Sequence, residues 1–139
     1  MALLIAGSAY GADLTIEVGS PVAASGSGPG VVSKVKGAVF SVRTKGCATN
    51  TKFSGRAVAE GWTSELVFTE GSPGAFSVSP KDWRNAAWVA VITAECSGAK
   101  AGALVPVGAN NAYDRAASKF LTHAPTDKEI ADALKGAKP

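Results

Sequence analysis

Residues 75–96 read AFSVSPKDWRNAAWVAVITAEC, and the fold turns on how this stretch divides. Phe76 and Val78 alternate with Ser77 and Ser79, turn-forming residues around Pro80 to Asn85 interrupt, and Trp88, Ala90, Ile92, Ala94 and Cys96 then share one parity. Successive side chains of a strand point to opposite faces, so the pattern predicts two half-buried antiparallel strands, the longer ending on a half-cystine. Outward from here the same period recurs. Leu14, Ile16 and Val18 alternate with Thr15 and Glu17; Ala38, Phe40 and Val42 oppose Val39, Ser41 and Arg43. Leu66 and Phe68 oppose Glu65, Val67 and Thr69, and Ala101, Ala103 and Val105 oppose Leu104. With a further short strand over 56–60, this gives a mainly β chain folded as a sandwich of about seven antiparallel strands. Phe40, Val42, Leu66, Phe68, Phe76, Val78, Trp88 and Ile92 are its expected core. Trp62, beside the Gly61 turn, is expected to cap one end of it.

Composition fits this class. One domain is the prior for 139 residues, and sixteen glycines suit short strands and tight turns better than a helical bundle. A net charge of +3 with 18% charged residues gives no argument for nucleic acid, and no recognition helix is legible. No window approaches the eighteen apolar residues of a membrane-spanning helix, so no integral membrane span is expected.

The opening, MALLIAGSAYGA over 1–12, carries the small-x-small run Ala9-Tyr10-Gly11, which allows cleavage before Ala12. It looks like the tail of a secretory signal peptide without its basic n-region, so 1–11 are expected to be a signal remnant. The other reading is a flexible N-terminus or a first edge strand. Cys47 and Cys96 fit an exported chain: in an oxidising space they would be bonded, placing the domain in the periplasm or outside the cell. Two reduced core thiols are the alternative.

The domain proper is expected over 12–110, with a helical tail over 111–139. Asn111 is read as capping one helix, in which Tyr113, Ala117, Phe120 and Leu121 form a stripe. A second starts at Thr126 with Glu129 three residues on, a capping box, and Ile130, Ala133 and Leu134 form its apolar side. Short helices need a surface, so the tail should cover the sandwich, dock on a partner or form a homodimer contact.

PGAFSVS, a Trp-containing turn and WVAVITAEC resemble the immunoglobulin-like sandwiches of small bacterial extracytoplasmic domains, including the CopC-like copper-resistance group. In that group a similar Pro-Gly-x-aromatic turn and strand precede a strand opening on a Trp. The resemblance covers residues 73–94 and implies an immunoglobulin-like sandwich. It also suggests a copper or small-ligand carrier, but that group binds metal through histidines near the mature N-terminus, where this chain has Ala12, Asp13 and no nearby histidine.

No chemistry-bearing motif stands out. Gly26-x-Gly28-x-Gly30 precedes a strand, not a helix, and reads as a loop. His123 is the only histidine, so neither a Ser/His/Asp relay nor a blue-copper ligand set can be assembled; it reads as a surface or capping residue. Glu60, Glu65 and Glu70 read as solvated strand-edge acids. The expectation is a non-enzyme without metal or cofactor. Its most suggestive binding feature is Lys34, Lys36, Arg43, Lys45, Lys52 and Arg56, six cations with no acid between residues 34 and 56. A face drawn from this run would suit a protein or acidic polymer of the cell envelope.

Overall fold

A computed structural model of the chain describes residues 14–21, 38–47, 50–71 and 73–136. Among these residues eight strands and one helix follow in order: β1 (Thr15–Gly19), β2 (Phe40–Lys45), β3 (Lys52–Ala59), β4 (Trp62–Glu70), β5 (Phe76–Pro80), β6 (Trp88–Cys96), β7 (Ala99–Val107), β8 (Lys119–Leu121) and α1 (Asp127–Gly136). The strand order is β1-β2-β5-β4-β3-β6-β7-β8, every neighbouring pair antiparallel. One strand joins two layers. Trp62 to Glu65 of β4 pair with β3, whereas Leu66 to Glu70 pair with β5, so β4 turns the corner between β1-β2-β5 and β3-β6-β7-β8. β1 in turn lies against β7 and β8, and the sheet curls back on itself almost to a barrel.

The turns follow from local chemistry. Ser97 and Gly98 both take positive φ, 50° and 86°, in the two-residue connection between Cys96 and Ala99, which matches the twist of the flanking strands. Gly61 does similar work at φ 70° between Ala59 and Trp62.

Between the layers lie Ile16, Val18, Phe40, Val42, Leu66, Val78, Trp88, Ala90, Ile92, Ala103 and Val105, with Phe68 and Phe76 partly buried against them. Phe53 joins this group, its ring 5.7 Å from Phe68 and 5.3 Å from Phe76. Strand β6 is more enclosed than its alternation suggested. Its outward residues Val89 and Val91 are also buried, because Ile130, Ala133 and Leu134 of α1 pack over them with Val58 and Leu104. WVAVITA is thus a strand covered on both faces, which explains its nearly unbroken apolar run. The apolar side of α1 is used within the chain.

Cys47, just past β2, is bonded to Cys96 at the end of β6 with a Cα separation of 5.9 Å, tying the two layers at one end. The capping box expected at Thr126 is formed. Glu129 N–H donates to Thr126 Oγ1 at 3.2 Å, and Thr126 N–H donates to Glu129 Oε1 at 2.9 Å.

The helix expected from Asn111 is not formed. Asn111 takes φ 62°, Tyr113 bridges to Val107, and Phe120 pairs with Ala103 as part of β8. Asp114 makes only a local turn: its Oδ1 accepts from Ala117 N–H at 3.0 Å and its carbonyl from Ser118 Oγ at 2.8 Å. Such side-chain bonds compete with helix propagation, while the open edge of β7 offers the next residues a ladder. The stripe is dispersed accordingly: Tyr113 packs on Phe40, ring centres 5.8 Å apart, and Phe120 stays exposed.

Candidate functional site

The cationic run does not make one surface. Lys34 and Lys36 lie outside the described residues. Arg43 and Lys45 stand on the outer face of β2, and both reach Glu17 of β1, at 3.4 and 3.8 Å. Lys52 and Arg56 stand on the outer face of β3, in the other layer, where the register sets Lys52 opposite Glu95 and Arg56 opposite Glu65. The four described cations therefore divide between opposite sides of the domain, each pair facing acids supplied by neighbouring strands. Chain order separates these acids from the run, and only strand pairing brings them back.

What the fold assembles instead is a cleft beside β1 and β2, of about 250 Å³, lined by Glu17, Gly19, Ser20, Ser41, Arg43 and Arg115. Ser41 Oγ donates to the Ser20 carbonyl at 2.6 Å and fixes the end of β1 as the cleft wall. Arg115 comes from the β7–β8 connection. That connection is held by Asp114 N–H donating to the Pro106 carbonyl at 2.8 Å and by Ser118 N–H donating to the Arg115 carbonyl at 3.1 Å. Two guanidinium groups with one carboxylate between β1 and β2 leave the cleft one positive charge in excess, suited to an acidic group by planar, paired N–H donation. Sequence reasoning missed Arg115 by placing it in a helix; no local signal ties it to Arg43, 72 positions earlier.

All three tryptophans lie near the opposite end from the disulfide. Trp62 is half-buried, its ring 6.4 Å from that of fully buried Trp88, and the Arg84 guanidinium lies 5.1 Å over its face. The expected capping role of Trp62 is met by this packing. The loop after β5 is docked by its backbone: Lys81 N–H donates to the Glu65 carbonyl and Asp82 N–H to Ser64 Oγ, both at 2.8 Å. That second bond accounts for a serine buried at position 64. Trp83, next along, is 49% exposed.

His123, Glu129 and Glu70 serve local structure. His123 Nε2 lies 3.0 and 3.1 Å from the two Glu129 oxygens, in reach to donate to the carboxylate that closes the α1 cap. The Thr126 backbone N–H, followed by the His123 contact, holds the Glu129 carboxyl below its ordinary 4.5. Glu70 accepts from Gly74 N–H at 3.1 Å within the β4–β5 turn. Among the described residues no three of His, Cys, Asp and Glu converge as a metal site, and both cysteines are in the disulfide. Among the same residues no helix is long and apolar enough to cross a membrane. Compared with family models, curated proteins and solved structures, the chain matches none.

Proposed function

We propose that this chain is a non-catalytic binding domain of the periplasm or extracellular space, built on an immunoglobulin-like sandwich, that holds an acidic group of an envelope polymer or protein in the cleft between Arg43 and Arg115. The observation that carries this reading is the arrival of Arg115, from the far end of the chain, in the cleft that also contains Arg43. The fold supports the scaffold part of it. β1-β2-β5-β4 beside β3-β6-β7 follows the A-B-E-D and C-F-G order of immunoglobulin-like sandwiches, with β8 added beyond the last strand. The disulfide supports an oxidising compartment, where such bonds persist.

The test is titration of the domain with a sulfated polysaccharide and with polyglutamate at low and at high salt. Arg43→Ala/Arg115→Ala should weaken binding of at least one polymer by about tenfold, while Lys52→Ala/Arg56→Ala, on the other layer, should leave it unchanged. Equal affinities for the parent and Arg43→Ala/Arg115→Ala would refute the cleft as the site.

A further inference from the structure

The loop over 81–87 holds a cation against an aromatic ring. Arg43 and Lys45 share Glu17, but the Arg84 guanidinium has no acid partner among the described residues and lies over the Trp62 indole instead, 5.1 Å from the ring centre. Stacking of this kind orients a guanidinium without consuming its N–H groups. Two donors of this cluster are buried without an acceptor: Arg84 Nε and, on the ring packed against Trp62, Trp88 Nε1. Both atoms are closed off from solvent, which leaves the terminal guanidinium nitrogens of half-buried Arg84 as the donors that a ligand can reach. The neighbouring Trp83 turns 49% of its surface to solvent, and Lys81 on the same loop is exposed. A cation held on Trp62, with an open indole one residue before it in the chain, offers the two chemical features that a ring with an anionic substituent needs.

We propose that Trp83 and Arg84 form a subsite for an anionic sugar, the indole of Trp83 stacking against the C–H face of the ring and Arg84 donating to its carboxylate or sulfate. This rests on the reading of the domain as a binder of acidic polymers and names the class of polymer. A saccharide fits better than an acidic polypeptide because the exposed residue next to Arg84 in the loop offers a single flat aromatic face, which a pyranose ring covers and a run of carboxylate side chains does not. The backbone bonds from Lys81 to Glu65 and from Asp82 to Ser64 anchor the loop to β4, so the subsite is held before a ligand arrives.

The experiment titrates a heparin-derived hexasaccharide and, separately, polyglutamate into the domain, following tryptophan fluorescence and heat. Variants are Trp83→Ala, Arg84→Gln and Arg43→Ala/Arg115→Ala, with circular dichroism to confirm folding. Trp83 is half-exposed, so its replacement should leave the fold intact; Arg84→Gln tests the charge separately. The expected result is a loss of about tenfold or more in hexasaccharide affinity for Trp83→Ala and for Arg84→Gln, with polyglutamate affinity unchanged in Trp83→Ala. Hexasaccharide affinity within about twofold of the parent in Trp83→Ala overturns the subsite, even where Arg43→Ala/Arg115→Ala shows the cleft to be real. Binding of polyglutamate alone overturns the saccharide class and leaves the cleft standing; binding of neither polymer overturns both.

Discussion

Removing the disulfide by Cys47→Ala/Cys96→Ala tests the bond that ties the two layers and supports the proposed compartment. The cysteines are 49 positions apart, and closing a loop of that length in the unfolded chain costs it about 4 kcal/mol of entropy at 25 °C. Measured losses for native disulfides fall at roughly 2 to 5 kcal/mol, so the double variant should lie in that range. With an unfolding entropy of about 2.1 cal/mol/K per residue, a 139-residue chain shifts by some 3 to 4 °C per kcal/mol, and the melting temperature should drop by roughly 7 to 17 °C. Scanning calorimetry of the parent, the reduced parent and the variant gives the number directly. Cys96 is also buried against the core, so the variant loses some packing that the reduced parent keeps; the difference between those two isolates the packing from the cross-link. A variant melting within about 3 °C of the oxidised parent would refute the loop-closure reasoning. Purified from the periplasm, the parent should gain two hydrogens in intact mass on reduction, and two free thiols there would remove the support for an oxidising compartment.

Other expectations are smaller. Gly102→Ala should cost about 1 to 3 kcal/mol in urea denaturation, because a Cβ there would stand 2.6 Å from the His123 carbonyl and 2.7 Å from Pro125 Cδ, backbone and ring atoms with little room to yield. Thr126→Ala should lower stability by about 1 kcal/mol, read from the same curves, through loss of the cap on α1. The fold favours ionised Glu129, so its contribution to the α1 cap is present above the ordinary carboxylate value of 4.5 and is lost as pH falls through the lower folded value. The protection factor of the Thr126 amide should fall over that acid window, and in Glu129→Gln it should no longer change with pH; an unchanged profile in the variant would assign the effect to another group.

Alternation of period two is local, and for that reason β1, β2, the second half of β4 and β5 to β7 were legible, as were the core positions Phe40, Val78, Trp88 and Ile92, whereas Trp62 to Ser64, expected as a connection, extend β4 by pairing with β3. The Thr126–Glu129 cap was equally legible, since both partners sit within one turn of α1. Cys47 and Cys96 named a distant contact only because two cysteines admit a single pairing. Elsewhere the deciding partners are far away in the chain. The Tyr113 to Leu121 stripe satisfies a helical period, yet the free edge of β7 and the side-chain bonds of Asp114 made a turn and β8 of it. Alternation in β6 marked one buried face and could not reveal that α1 covers the other. The cationic run between residues 34 and 56 has no acids in sequence, but antiparallel pairing sets Glu17, Glu65 and Glu95 against its described members and separates those members between two layers. Arg43 and Arg115 share a cleft for the same reason: side-chain charge is written in the sequence, while its neighbours are chosen by strand order, which depends on packing the whole chain at once.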